Sequence, residues 1–258
     1  MIQLEDVKCG YGKKAVLSAV TVSIEKGKLT CMLGRNGAGK TTLFKTILGI
    51  IPALGGSICY SGKPIGAFDA REFARYIGYV PQAHNTPFPY NVLDVVLMGR
   101  YAHSGTLTGR PDAKSIEIAI SCIRTLDIEH LKRKPFSKIS GGEKQMVMIA
   151  RTMAQQPRFI AMDEPTSSLD VGNQVRVMQQ ARMLAHKGIG VIMNTHSPQQ
   201  ALQYADRVIL LNNNRMEKCG KPSEVLHADT ISELYSTPVE VMEMNTSGGE
   251  RRRVMITL

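Results

Sequence analysis

The chain has 258 residues, of which 43% are apolar and 21% are charged, so it has the length and composition of a folded protein with a sizeable core. Its formal net charge of +10 fits nucleic acid, an anionic membrane surface or a nucleotide polyphosphate as the partner. Tryptophan is absent and aromatic residues make up 5%, which argues against a stacking platform for nucleic acid. The one dense basic cluster, residues 251–253, is too short for a nucleic-acid-binding tail.

The cysteines and the apolar runs bear on the cellular compartment. Five cysteines are scattered without a C-x-x-C pair, which predicts reduced thiols in a cytosolic protein rather than disulfides or a zinc site. No apolar run reaches the roughly 18 residues that a membrane span requires, and the first residues lack the pattern of a signal peptide. We therefore expect a soluble protein that stays inside the cell.

The first third of the chain is dominated by strand patterns. Short apolar alternation over residues 2–24 predicts antiparallel strands, with Tyr11 in a turn between two glycines. The apolar run at 29–33 predicts a buried strand, residues 42–48 predict a helix, and residues 56–60 predict a further strand.

The segment 34–42, GRNGAGKTT, joins this buried strand to this helix. Gly34, Gly39, Lys40 and Thr41 fill the fixed positions of the phosphate-binding P-loop. Glycines allow backbone N–H groups to turn inward around a polyanion. Lys40 supplies positive charge for the β- and γ-phosphates, and the Thr41 hydroxyl is placed to ligate Mg²⁺. Strand, loop and helix in this order predict a nucleotide site.

The middle third is mainly helical, which predicts a subdomain. A helix at 70–75 leads into a strand at 77–80 that ends at Pro81 and Gln82. The sequence then predicts an ordered loop at 83–90, helical patterns within 92–98 and 116–126, and a Gly/Ser/Thr-rich connection at 102–110 between them.

The tetrapeptide SGGE, Ser140 to Glu143, begins the next helix. A Ser N-cap with Glu three residues later is a capping box, and the free N–H groups beside two glycines could also bind an anion. From these residues alone, an ordinary helix cap and an anion site remain equally open.

Two later strands end in polar residues. The apolar strand at 159–162 is followed by Asp163 and Glu164, and the strand at 189–195 by His196. Open α/β sheets bind ligands at the carboxyl ends of their strands, so these side chains are candidates for a site. The sequence then predicts a strand at 207–211, a turn at 212–214, a capped helix at 223–235 and a closing hairpin of 239–244 with 252–257.

The P-loop, SGGE, the Asp-Glu pair and the strand-ending histidine, in this order, resemble the ATP-binding cassette (ABC) family of transport ATPases over roughly residues 2–235. The resemblance implies an α/β P-loop NTPase fold with a RecA-like parallel sheet core, an antiparallel β subdomain and an inserted helical subdomain at about 83–155. The ATPase domain would span 1–235, and 236–258 would form a C-terminal β-hairpin extension.

The resemblance also implies ATP and Mg²⁺ as cofactors and roles for single residues. Glu164 would be the general base, His196 the γ-phosphate switch and Lys40 the phosphate-binding lysine. Mg²⁺ would be held by Thr41 and Asp163 and sensed by Gln82, which would also face the transport partner. ATP would be bound by Tyr11 stacked on adenine, Val16, Gly34, Arg35, Asn36, Gly37, Ala38, Gly39, Lys40, Thr41 and Thr42.

The same resemblance predicts a homodimer that sandwiches two ATP molecules. Ser140, Gly141 and Gly142, with Glu143 completing the signature, would cap the γ-phosphate of ATP held by a second copy, and the loop with Ser168 and Asp170 would cross to that copy. The sequence departs from the family pattern in four places that remove no catalytic group: Ile139, Glu143, Met146 and Ser197.

Residues 79–105 and the terminal hairpin are similar to importers of iron–siderophores, haem, cobalamin and, in some members, molybdate or tungstate. This similarity implies the ATP-hydrolysing subunit of a metal-chelate importer at the cytoplasmic face of the membrane. It would work beneath two permease subunits fed by an extracytoplasmic binding protein, without nucleic acid. The alternatives are an oxyanion importer and a soluble ATPase of the iron–sulfur assembly type. DNA-repair and ribosomal members are disfavoured, because the chain has one P-loop and a short stretch between Gln82 and Ser140.

Overall fold

The computed structural model describes residues 1–82, 90–103, 111–245 and 251–257. Most of the predicted loop at 83–90, most of the connection at 102–110 and the turn of the C-terminal hairpin lie outside these ranges. The strands are β1 (Ile2–Tyr11), β2 (Lys14–Ile24), β3 (Leu29–Gly34), β4 (Gly55–Tyr60), β5 (Lys63–Pro64), β6 (Ile77–Val80), β7 (Phe159–Asp163), β8 (Gly190–Asn194), β9 (Arg207–Asn212), β10 (Arg215–Gly220), β11 (Val239–Asn245) and β12 (Arg251–Thr257).

Helices are present where the sequence predicts them at 42–48, 70–75, within 92–98 and 116–126 and after SGGE, whereas those at 171–186 and 198–204 were not predicted. The helices are α1 (Lys40–Ile47), α2 (Ala70–Tyr76), α3 (Val92–Leu97), α4 (Ala113–Thr125), α5 (Gly141–Ala154), α6 (Val171–His186), α7 (Pro198–Tyr204), α8 (Pro222–Val225) and α9 (Ala228–Tyr235). A 3₁₀ segment, Met98–His103, follows α3 directly. Within the described ranges, none of the helices has the length and apolar character needed to cross a membrane.

The chain forms two compact units, and the division falls within α6. The first unit comprises Met1–Ile65 and Leu184–Leu258. Its sheet has the order β5-β4-β1-β2-β10-β9-β3-β8. β1 pairs antiparallel with β2 and with β4, which confirms the antiparallel strands predicted over residues 2–24. β3 instead lies parallel to both β8 and β9.

Strand β3 carries the core of the first unit. All six of its residues are buried, because both of its edges are paired and both of its faces are covered. Its start is fixed by Asp206, whose carboxylate accepts a hydrogen bond from the Leu29 N–H at 2.8 Å and whose own N–H donates to the Leu29 carbonyl at 2.8 Å. The strand therefore enters the P-loop from a fixed position.

The second unit, Gly66–Met183, is mainly helical around a short parallel pair, β6 and β7. Arg100, in the 3₁₀ segment, is buried and joins three parts of this unit. Its Nη1 donates to the Ala154 carbonyl at 2.7 Å and to Gln156 Oε1 at 2.9 Å, and its Nε lies 3.5 Å from Ser115 Oγ. Burial lowers the pKa of Arg100, but the nearby Asp112 carboxylate opposes this shift.

The C-terminal region differs in part from the sequence prediction. The single capped helix predicted at 223–235 is wrong, because Leu226 and His227 leave the helical conformation and separate α8 from α9. The His227 ring lies 3.1 Å from the Glu224 carbonyl, at the point where the helical hydrogen bonds stop. The closing hairpin is confirmed: β11 and β12 pair antiparallel from Val239 opposite Thr257 onward. The strand predicted at 189–195 ends at Asn194, two residues before His196.

Gly99 is required where the 3₁₀ segment meets α5. A Cβ at this position would lie 2.0 Å from the Arg151 carbonyl oxygen and 3.2 Å from the Ala154 Cβ. We expect Gly99→Ala to destabilise the protein by about 1–3 kcal/mol, because backbone on both sides would have to move. The control is Gly66→Ala, also in the second unit, where a Cβ would meet nothing within 4 Å. Equal urea unfolding midpoints for the two variants would contradict this packing.

Candidate functional site

The P-loop of the first unit has the backbone geometry of an anion cradle. Gly37 and Gly39 have φ values of 84° and 90°, in the left-handed region that side chains disfavour. At Gly39 a Cβ would also lie 2.6 Å from the Leu17 Cγ. Helix α1 begins directly after Gly39 with no side-chain cap, so the N–H groups of its first turn are oriented for an anion.

Lys40 lies inside this loop. Its side chain is buried, and its Nζ donates to the Gly34 carbonyl at 2.6 Å and to the Arg35 carbonyl at 3.1 Å. A buried ammonium is stable only where hydrogen-bond acceptors surround it, and the loop supplies these from its own backbone. Thr41, next in the chain, is exposed, whereas Thr42 is buried. The positive charge is therefore held inside the loop that the sequence predicts to bind phosphates.

The predicted adenine-contacting residues belong to the same unit. Tyr11 ends β1 and is 53% exposed, as a residue that stacks on a planar base would be. Val16, on β2, is half-buried, and its Cγ1 would lie 3.3 Å from a Cβ at Gly39. The structure thus brings Val16 beside the P-loop.

His196 follows β8 at the same edge of the sheet. β8 is parallel to β3, with Asn194 opposite Met32, and the Thr195 N–H continues the pairing by donating to the Met32 carbonyl at 3.2 Å. The His196 side chain is exposed, whereas Thr195 before it is buried. Because the carboxyl ends of parallel strands share one edge, the P-loop and the His196 segment lie at the same edge of this sheet.

In the second unit, Asp163 and Glu164 lie at the end of β7. The Tyr79 hydroxyl is 3.4 Å from Asp163 Oδ2; burial, together with the Asp163 carboxylate, raises the pKa of Tyr79. Glu164 has φ of 44°, a strained conformation for a residue with a side chain. A tight turn holds this conformation, because the Ser167 N–H and hydroxyl donate to the Glu164 carbonyl at 3.1 and 2.8 Å.

Gln82 is connected to the same turn. Its Nε2 donates to Ser167 Oγ at 2.9 Å, so a hydrogen-bonded chain runs from Gln82 through Ser167 to the backbone of Glu164. The sequence prediction missed Ser167. A signal was present, because a serine three residues after an Asp-Glu-Pro turn is well placed to bond back to the turn backbone.

The SGGE segment forms the capping box that the sequence predicts. Ser140 Oγ accepts from the Glu143 N–H at 3.3 Å, and Glu143 Oε2 accepts from the Ser140 N–H at 2.7 Å. The Ser140 N–H also holds the pKa of the Glu143 carboxyl below its usual range. Glu143 is one of the departures from the family pattern, in which glutamine is commoner at this position. The capping box accounts for the glutamate locally, since Glu143 stabilises the start of α5.

The structure brings SGGE next to the predicted dimer loop within the second unit. A Cβ at Gly142 would lie 2.3 Å from the Asn173 side chain, whose Nδ2 donates to Asp170 Oδ2 at 2.6 Å. The Asn173 N–H donates to Asp170 Oδ1 at 2.9 Å, and these bonds lower the pKa of Asp170. Ser168, in the same loop, has φ of 60°. Gly142 therefore permits a close approach that a side chain would prevent.

Each unit by itself carries groups that suit the predicted cofactors. The first unit has the cradle at Gly37 and Gly39 and the buried ammonium of Lys40, and the second has the carboxylate of Asp163. In the part of the chain that the structure describes, no group of three or more His, Cys, Asp or Glu side chains forms a metal cage. Mg²⁺ commonly uses one or two carboxylates and takes its other ligands from phosphates and water, so such a cage is not needed.

Comparison with known proteins gives consistent results. The family described as ABC transporter matches residues 17–167. An uncharacterised ABC transporter ATP-binding protein of Haemophilus influenzae is 38% identical over 245 residues, which cover 95% of this chain and 93% of the relative. The hemin import ATP-binding protein HmuV of Shewanella denitrificans is 36% identical over 241 residues, which cover 91% and 93% of the two chains.

Solved structures agree with the sequence relatives. A metal-chelate type ABC transporter in an inward-facing conformation matches with a TM-score of 0.87 and 30% identity, over 100% of this chain and 97% of that one. The dimeric structure of a bacterial ABC transporter cassette, MJ0796, matches with a TM-score of 0.71 and 25% identity, over 86% and 99% of the two chains. The predicted P-loop ATPase fold is thereby confirmed. The chain therefore belongs to the ABC transporter family, and its activity is the ATP hydrolysis general to that family.

Proposed function

We propose that the chain is the ATPase subunit of an importer that takes up an iron–siderophore or related metal chelate through a membrane permease. The observation that carries this proposal is the near-complete coverage shared with a metal-chelate type transporter and with a hemin import ATP-binding protein. Similarity over the whole length includes the C-terminal hairpin, which lies outside the residues of the general family match.

The P-loop binds the triphosphate of ATP in this proposal. Lys40 exchanges its contacts with the Gly34 and Arg35 carbonyls for phosphate oxygens, and the N–H groups at the start of α1 take the remaining charge. Tyr11 stacks on the adenine, and Val16 covers the nucleotide beside Gly39. Thr41 and Asp163 hold Mg²⁺, with Gln82 as its sensor; the ion supplies neutralisation of phosphate charge when bound.

Hydrolysis in this proposal depends on positioning a water molecule and on neutralising developing charge. Glu164 accepts the proton of the attacking water, and its backbone is held by the Ser167 turn. His196 contacts the γ-phosphate from the segment after β8. These roles need no covalent intermediate, because phosphoryl transfer is driven mainly by orientation and electrostatics.

The working unit in this proposal is a homodimer closed around two ATP molecules. Family members act as dimers with permease subunits, and a dimer is seen in the MJ0796 cassette. Ser140, Gly141 and Gly142 of one copy cap the γ-phosphate bound by the other, with Glu143 holding the start of their helix. Ser168 and Asp170 lie in the loop that meets the second copy.

The proposed assembly places two such copies under two permease subunits at the cytoplasmic face of the membrane, served by an extracytoplasmic binding protein. In this proposal, residues 1–235 form the ATPase domain with a helical subdomain at about 83–155, and residues 236–258 form an extension.

Two substitutions separate nucleotide binding from turnover. We expect Lys40→Ala to weaken ATP affinity at least about tenfold, because charge-assisted hydrogen bonds to phosphate are lost. We expect Glu164→Gln to bind ATP normally but to lower kcat by about 10²–10⁴-fold, since the general base is lost. Equilibrium binding of a fluorescent ATP analogue and steady-state phosphate release measure the two effects. The control is Glu217→Gln, on the exposed surface of β10. Full hydrolysis by Glu164→Gln would refute the assignment of Glu164.

The slow variant also tests the dimer. We expect Glu164→Gln with saturating Mg-ATP to sediment and scatter light as a dimer, and to return to monomer on exchange into ADP, because only the triphosphate carries the group that the partner caps. The matched double variant Glu164→Gln, Ser140→Arg should stay monomeric. Its arginine side chain would occupy the space in which the proposed contact between Ser140 and the γ-phosphate bound by the second copy forms. Dimerisation of this double variant to the same extent would contradict the sandwich.

The permease partner is tested by a pull-down of tagged Glu164→Gln from native membranes with Mg-ATP. We expect to recover a polytopic membrane protein in an amount equal to that of the tagged chain. The binding protein that serves this permease can then be tested separately for binding of metal chelates and of oxyanions. Lys40→Ala serves as the control that shows whether capture of the membrane protein depends on bound nucleotide. Recovery of soluble scaffold proteins without a membrane protein would overturn the importer while leaving the ATPase in place.

A further inference from the structure

The C-terminal hairpin and the helix before it contact the segment that carries His196. Helix α9 packs on β11, and helix α7, which follows His196, packs on β12. All of these elements belong to the first compact unit, and the family match at 17–167 includes none of them. The sequence prediction assigned the hairpin no role beyond closing the chain.

Two hydrogen bonds connect these elements across long stretches of sequence. The Tyr235 hydroxyl, at the end of α9, donates to the His196 carbonyl at 3.0 Å. The Met255 N–H of β12 donates to Gln199 Oε1 at 2.7 Å, and Gln199 lies in the first turn of α7. One bond therefore fixes the His196 backbone itself, and the other fixes the helix that begins two residues later.

Local hydrogen bonds complete the fixation of this segment. The Ser197 N–H donates to Thr195 Oγ1 at 3.1 Å, and Ser197 Oγ caps α7 by accepting from the Gln200 N–H at 3.3 Å. The buried Thr195 precedes His196, whose own side chain is exposed. The backbone around His196 is thus held on both sides, although the residue itself is exposed.

The chemistry of Tyr235 suits a permanent donor. Burial raises the pKa of Tyr235 to about 12, so its hydroxyl keeps its proton throughout the range in which proteins function. The bond goes to the carbonyl of His196, so Tyr235 acts on the backbone that carries the imidazole. A hydroxyl that fixes the backbone of a neighbouring site residue is the arrangement expected of a positioning residue.

We propose that Tyr235 is a positioning residue for His196, and that α9, through Tyr235, and the C-terminal hairpin, through its bond to Gln199, together fasten the His196 segment so that the ring is presented to the γ-phosphate. This inference rests on the proposed role of His196. The hairpin is then part of the hydrolytic machinery, because it restricts the backbone that carries the switch residue. Nucleotide binding by the P-loop does not depend on it.

The test compares Tyr235→Phe, His196→Ala and the double variant in steady-state ATP hydrolysis by the full chain. We expect Tyr235→Phe to lower kcat about fivefold with KM for ATP unchanged, which is the effect of one net hydrogen bond. The double variant should be no slower than His196→Ala, because Tyr235 acts only through His196. Gln199→Ala should lower kcat in the same direction and provides an independent variant if Tyr235→Phe folds poorly.

The matched control is Tyr60→Phe. Tyr60 is also a buried tyrosine whose hydroxyl donates to a backbone carbonyl, that of Ile47. We expect Tyr60→Phe to lose a comparable amount of stability but to keep its kcat within about twofold. The loss of this one hydrogen bond should lower the free energy of unfolding without changing the His196 segment. Equal slowing by Tyr60→Phe and Tyr235→Phe would show a general loss of stability and would overturn the inference.

A spectroscopic measurement separates positioning from activity. The chain has six histidines, and the ring ¹H–¹³C signal of His196 is identified by its loss in His196→Ala. We expect Tyr235→Phe to shift or broaden this signal and to leave the other five in place, with Tyr60→Phe leaving all six unchanged. An unmoved His196 signal, or kcat equal to that of the unmodified chain, would overturn the positioning role while leaving His196 itself intact. Full hydrolysis by His196→Ala would instead overturn the proposed role of His196.

Discussion

The backbone pairing of one buried strand, β3, is the constraint on which the rest of the first unit depends. A strand covered on both faces has no water for its polar backbone, so its N–H and carbonyl groups must find protein partners, which β8, β9 and residues beside them provide. Asp206 satisfies its first residue with both side chain and backbone. This register sets where Gly34 leaves the sheet and where Thr195 and His196 follow β8, so the positions of the P-loop and of the His196 segment follow from the pairing of β3.

The second unit holds short polar segments in place without a long sheet. Asp163 ends a strand of five residues and Glu164 follows it, and the strained Glu164 backbone is held by Ser167. The SGGE segment is stabilised by its own capping box and packs against Asn173, which also fixes Asp170. Each polar segment is therefore fixed by hydrogen bonds of its own, and Gly142 occupies the point where SGGE and Asn173 approach each other closely.

Much of this could be predicted from the sequence, because the signals were local. The P-loop depends on glycines at fixed spacing, the capping box on Ser140 and Glu143, and the hairpin on alternation around a turn. The sequence could not predict the break between α8 and α9, because Leu226 and His227 are not helix breakers by type. It also could not predict the bonds from Gln82 to Ser167 or from Tyr235 to His196. These pairs are 85 and 39 residues apart, and tertiary packing alone brings them together.

The contacts of Lys40 have a consequence for the energetics of the whole chain. Its ammonium is buried and hydrogen-bonded within its own loop, so the side chain has lost rotamer freedom during folding. In the proposed function, an arriving triphosphate meets a lysine that is already ordered, so less of the binding free energy is lost on ordering it. The cost of ordering this side chain thus falls on the folding of the chain and not on the binding of the nucleotide.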